Sequence, residues 1–174
     1  NPALMNQGQI NAATDCDTIL IELHDALLPA NISYASQSIL HTNGTATCSF
    51  TGGVAAGDYY IVVKHRNAIE TWSAMPINFS GTSANYDFSF DQGQAYGGNQ
   101  VEVSTGIWAF FSGDVVKDQG ESTDLIDLGQ LETEINNFSF GYFSEDLNGD
   151  GNVDILDSPS LENSISNFIY ANHP

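Results

Sequence analysis

The chain has 174 residues, one domain of ordinary size or one domain with a small appendage. Its 22 Asp and Glu face only 3 Lys and Arg, a net charge of −19 that excludes nucleic acid and anionic membrane as partners. Hydrophobic residues at 41% and aromatics at 11% supply a core, so this is no disordered acidic tail. No apolar run is long enough to predict a membrane span.

Residues 1–14 read as an extended N-terminal segment, uncharged over its first eleven positions, that would serve as a donor strand or a frayed terminus. Asn1-Pro2-Ala3 has neither a basic start nor an apolar run, so it is not a signal peptide, and any export signal is expected upstream. Residues 1–112 then read as β structure. Short runs rich in Ile, Val, Tyr, Phe and Thr fall at 18–24, 38–41, 45–50, 59–65, 71–79, 86–90, 101–103 and 107–111. Turn-forming stretches such as Thr42-Asn43-Gly44 and Gly97-Gly98-Asn99 separate them. Seven or eight short strands without a helical period predict a mainly β fold, an antiparallel β-sandwich. Cys16 and Cys48 are too few for a disulfide scaffold and wrongly spaced for zinc. An intramolecular disulfide is the expectation in an oxidising compartment, against two thiols or a bond between subunits.

The chemistry changes near residue 113. Residues 1–113 hold nine acids and two bases, whereas 114–174 hold thirteen acids and one base. This second region repeats itself. Asp124, Asp127, Leu131, Glu132, Ile135, Asn137 and Phe138 recur thirty residues later as Asp154, Asp157, Leu161, Glu162, Ile165, Asn167 and Phe168. Each copy predicts an acidic loop feeding a short helix, with Leu131/Ile135 and Leu161/Ile165 as its apolar pairs.

The second loop, 146–157, has the pattern D-x-N-x-D-G-x-V-D-x-x-D. Asp146, Asn148, Asp150, Asp154 and Asp157 offer side-chain oxygens, Asn152 offers its carbonyl, and Gly151 permits the sharp turn. Calcium takes six to eight hard oxygen ligands, which this spacing supplies. Val153 is the expected apolar pin. The Asp at position 12, in place of a longer Glu, points to a dockerin-type loop running directly into its helix. The first loop is degraded and two residues longer. Asp114, Asp118, Asp124 and Asp127 survive, Val116 replaces the Asn, and Lys117 adds a cation, so a second and weaker calcium site is expected. Glu121 or Ser122 would substitute as a ligand if the insertion bulges. Glu132 and Glu162 either reach the neighbouring ion or coat a helix face.

Residues 113–168 resemble the paired dockerin type I repeat of secreted bacterial proteins, through Gly113-Asp114 and the second loop. More narrowly, the chain is similar to a module of secreted Bacteroidota-type surface proteins. The likeness runs through residues 59–67, Glu70-Thr71-Trp72-Ser73, Gln94-Ala95-Tyr96-Gly97, Ile107-Trp108-Ala109-Phe110 and the double Asp loop. The resemblance implies a β-sandwich joined to a dockerin-like calcium pair at 113–174, exported to the cell exterior.

No catalytic motif stands out. The four histidines are scattered, and no nucleophile elbow, phosphate loop or dinucleotide fingerprint is present, so the chain reads as non-enzymatic. Lys64-His65-Arg66 holds two of the three bases. It reads as a strand end whose Lys64 or Arg66 pairs Glu70 or another local acid with Trp72 beneath, against a pocket for an acidic or sugar ligand. The expected function is an extracellular, calcium-stiffened structural protein that self-assembles as a homo-oligomer or homopolymer. The alternatives are an adaptor for a cohesin-like partner and a carbohydrate-binding module with a glycan partner.

Overall fold

The computed structural model describes residues 14–81, 83–118 and 121–174. Apart from Thr14, the N-terminal segment expected over 1–14 lies outside them. Among the described residues seven strands follow in chain order: β1 (Asp15–Asp25), β2 (Ile32–His41), β3 (Gly57–His65), β4 (Ala68–Trp72), β5 (Ile77–Phe79), β6 (Val101–Ser104) and β7 (Ile107–Ala109). Two helices, α1 (Leu125–Asn136) and α2 (Ser158–Ser166), come last, α2 after a 3-10 turn at Ile155–Asp157. The fold is mainly β, with 34% strand against 19% helix.

One antiparallel sheet runs β2-β1-β3-β4, and β5 pairs the start of β3 through Gly57↔Phe79 and Tyr59↔Ile77. The long strand β1 lies between β2 and β3, and its register against β3 runs from Leu20↔Lys64 to Asp25↔Tyr59. β6 and β7 form a separate two-stranded sheet. Leu23, Tyr59 and Phe79 centre one apolar cluster, with Tyr34, Phe50 and Ile77 packed around them. The rings of Tyr34, Tyr59 and Phe79 meet edge to face at 5.8 Å centroid spacing, a preferred aromatic geometry. Leu131, Val153 and Leu161 centre a second cluster between the helices.

Two expected strands do not form. Along 45–50 only the bridge Leu40↔Ala46 appears. The Ser36 and Ser38 hydroxyls donate to the carbonyls of Ser49 and Thr47, taking acceptors that a backbone ladder would need. At 86–90 the Phe88 carbonyl goes to the Gln100 amide and the Asp87 carboxylate takes the Ser89 N–H, which again diverts the ladder. The 71–79 run splits into the end of β4 and β5. The expected disulfide is also absent, and Cys16 and Cys48 are both free thiols. β2 lies between them: Cys16 is in β1, and Cys48 lies along the other side of β2, where its Sγ is 3.6 Å from the Ser36 carbonyl. Two strand spacings are about 9.5 Å, beyond the Cα separation a disulfide spans.

Both helices begin and end alike. Asp124 caps α1 and Asp154 caps the 3-10 turn before α2, each in a reciprocal capping box with the Asp three residues on. Pro159 sits in the first turn of α2, where its missing N–H costs nothing. Phe138 and Phe168 close the helices with φ of 54° and 53°. Ser139 N–H bonds Glu134 O and Ile169 N–H bonds Ser164 O, so each end is a Schellman motif.

Candidate metal centre and the clamp that holds it

The second loop winds around its own side chains. Asp146 accepts Gly149 N–H at 2.8 Å and Gly151 N–H at 3.0 Å, one on each carboxylate oxygen. Asn148 Oδ1 accepts Asp150 N–H, and Asp150 Oδ1 accepts Asn152 N–H, both at 2.8 Å. These repeated Asx turns wind the backbone into a tight coil. Gly149 (φ 77°) and Gly151 (φ 92°) take the left-handed conformations the coil requires. Asp157 accepts Leu147 and Asn148 N–H on one oxygen and Asp154 N–H on the other, tying the loop's end to its start. Asp146 and Asp157 are buried, and Val153 is pinned in the helical cluster as its sequence position predicts. Asn148, Asp150 and Asn152 are exposed, and Asp154 is intermediate.

The first loop reproduces the closure. Asp127 accepts Val115 and Val116 N–H on one oxygen and Asp124 N–H on the other. Thr123 N–H bonds Ile169 O as Val153 N–H bonds Ser139 O, so each loop is laced to the chain leaving the opposite helix. The difference lies at the start. The Lys117 ammonium sits 2.8 Å from Asp114 Oδ2 and 2.7 Å from the Ala68 carbonyl. It neutralises one of the oxygens assigned to an ion. Asp118 is exposed. Burial pushes the Asp114 carboxyl up despite Lys117, and burial likewise raises Asp157 against its three backbone N–H partners.

Among the described residues no three His, Cys, Asp or Glu side chains gather as a ready-made metal cluster. Asp124 and Asp154 cap helical turns, and Asp127 and Asp157 hold backbone N–H groups. The second loop's donor set nevertheless fits calcium in kind, because it combines carboxylates with an amide oxygen and a backbone carbonyl. Glu132 and Glu162 are both exposed on their helices.

Sequence reasoning missed what fixes these loops in place. Asp17, 4% exposed, takes Arg66 Nε at 2.9 Å, Tyr142 OH at 3.0 Å and Thr18 N–H at 2.6 Å, with His65 Nε2 2.9 Å away. Burial alone would raise its pKa, but the His65, Thr18 and Arg66 interactions outweigh that and hold it at about 2. The Arg66 guanidinium lies 4.8 Å over the Tyr142 ring and also donates to the Phe143 carbonyl. The neighbouring Asn67 amide donates to the Asp146 carbonyl at 3.2 Å. The β3–β4 turn thus grips the segment leading into the second loop.

A second network fills the adjacent sheet face. Lys64 Nζ bridges Glu70 at 2.7 Å and Glu22 at 3.2 Å, His24 bonds Glu22 at 3.0 Å, and Trp72 Nε1 donates to Glu70. The pairing of Lys64 with Glu70 follows the expected strand-end reading. Lys64, Arg66 and Lys117, every base in the chain, line one cleft of about 340 Å³ between the sheet and the first loop. Each already holds an acid, so the cleft offers no spare positive charge.

No family model matches the chain, and neither the curated proteins nor the solved structures contain a match to it.

Proposed function

We propose that this chain is an extracellular calcium-binding structural protein, a self-assembling subunit of a surface fibre, tube or layer. In this reading its sheets form a β-sandwich and residues 113–174 a dockerin-like pair. The observation that carries the calcium part is the coil of the second loop, in which Asp146, Asn148, Asp150, Asp154 and Asp157 each accept a backbone N–H at 2.7–3.0 Å. A bound Ca²⁺ would neutralise these carboxylates, and Asp146, Asp150, Asp154, Asp157, the Asn148 amide and the Asn152 carbonyl would hold it. Residues 114–174 carry thirteen acids against Lys117 alone, so removing the ion leaves their repulsion unscreened. Binding to the folded loop is folding free energy, which links calcium to stiffness.

Calorimetry and thermal melts of the full chain in Ca²⁺ and in EGTA test this. Asp150→Ala is the informative variant, because Asp150 is exposed and its carboxylate bonds its loop neighbours Asn152 and Asn148. We expect it to weaken calcium binding at least tenfold while leaving the EGTA melt unchanged. An unaltered binding heat in this variant refutes the ligand assignment.

A further inference from the structure

The internal repeat copies more than the loops. Leu125 and Ile126 are 72% and 56% exposed, and their counterparts Ile155 and Leu156 are 71% and 64% exposed. Phe138 and Phe168 are 85% and 83% exposed, and Phe140 and Tyr170 are 77% and 56%. Eight large side chains at four repeat-related positions therefore face water, while Leu131, Val153 and Leu161 centre the cluster between the helices. The two phenylalanines also sit in left-handed backbone, at the helix-terminal position where Gly or Asn is the unstrained choice. The Schellman motif accounts for the backbone at these positions but not for an aromatic side chain held bare in both copies. That exposure points to contact with something else.

Hydrogen bonding sorts the eight into two equivalent patches. The bridge Ser122↔Tyr170 and the bond from Thr123 N–H to Ile169 O bring Phe168 and Tyr170 to the start of α1, beside Leu125 and Ile126. The bridge Phe140↔Asn152 and the bond from Val153 N–H to Ser139 O bring Phe138 and Phe140 beside Ile155 and Leu156. We infer that these two patches pair one copy of this chain with the next. Like patches are self-complementary in kind, and two on one molecule give it a valence of two, which generates an open row instead of a closed dimer. Taking about 150–200 Å² per large side chain, each patch bares on the order of 500 Å². Patch against patch then buries about 1,000 Å² in total, the lower limit for a specific contact, so single contacts are weak and rows form by accumulation. This inference rests on the reading of the chain as an assembling subunit and names the surface that would do it. Leu125 and Ile126 lie between Asp124 and Asp127, and Ile155 and Leu156 between Asp154 and Asp157, so calcium in the loops would lower the charge beside each patch.

The test is sedimentation velocity of the full chain across a concentration series in Ca²⁺, with binding heats measured on the same samples. Phe138→Asn/Phe168→Asn is the deciding variant, because Asn adopts left-handed backbone readily and should keep the fold. The wild type is expected to form species that grow with concentration, the double variant to stay monomeric with its calcium heat intact, and Phe138→Asn alone to stop at a dimer. A wild type that stays monomeric while binding calcium overturns the patches and leaves the calcium reading standing. Growth in the double variant equal to wild type also overturns them. Patch-dependent growth without any calcium heat keeps the patches and removes calcium from the proposed function.

Discussion

Replacing Asp17 with Asn keeps its shape and removes its charge from the clamp of Arg66, His65, Tyr142 and Thr18. The carboxyl titrates at about 2 in the fold against an ordinary 3.8. A depressed pKa means that the unfolded chain takes up the proton first, so the stabilisation is complete above the ordinary value and fades as pH falls toward 2. The gap corresponds to about 2.5 kcal/mol at pH 7, and roughly half of that survives at pH 3. For a chain of this length the neutral-pH figure is a drop in Tm of about 5–10 °C. Urea unfolding of wild type and Asp17→Asn at a series of pH values from neutral to about 3 measures the difference directly. The difference should shrink on the acid side. A gap that is below about 0.5 kcal/mol at neutral pH, or that stays constant down the series, refutes the assignment of Asp17 as a working anion.

Two further substitutions probe the joints around the first loop. Gly113 has φ 117°, and a Cβ there would lie 2.9 Å from Leu161 Cδ1 and Thr123 Cγ2 and 3.2 Å from the Leu161 backbone. Gly113→Ala should therefore cost about 2–4 kcal/mol, read as a fall in urea midpoint; an unchanged midpoint would show that the helix pair slides to make room. Lys117→Met strips the ammonium from Asp114 and the Ala68 carbonyl. It should destabilise the chain in EGTA by about 1–2 kcal/mol, less than a fully buried pair would because Lys117 is partly exposed. Calcium should then recover more stability in Lys117→Met than in wild type, since an ion can take the vacated charge. Equal recovery in both argues that the first loop never holds one.

Legibility in the sequence followed sequence distance. The loop pattern, the Val153 pin and the Leu131 and Leu161 faces are set by residues within a dozen positions of one another, and spacing alone was enough to find them; that Asp124 and Asp154, read there as ligands, also cap helical turns was not seen. β1, β3, β6 and β7 were also visible, since alternation and turn chemistry are local. The segments 45–50 and 86–90 looked equally strand-like but lost their carbonyls to Ser36, Ser38 and Gln100, and only the folded chain brings those side chains there. The Glu22–Lys64–Glu70 network depends on the β1–β3 register, and the Asp17 clamp joins residues 49 and 125 positions apart. A signal was nonetheless present: a chain this acidic spends its bases sparingly, and each of the three marks a buried carboxylate.

The terminal residues turn back onto the body of the molecule. Ala171 N–H bonds Glu121 O, the Asn99 amide bonds Tyr170 O, and the His173 ring lies 5.8 Å from Trp72. With the Arg66 and Asn67 grip on 143–146, the repeat pair is fastened at its middle as well as at its trailing end. Tension applied to Pro174 would therefore load several bonds in shear at once instead of peeling them one by one. Pulled from its ends, the chain should yield in one rupture at high force, and a stepwise unravelling of the tail would show that these attachments do not share the load.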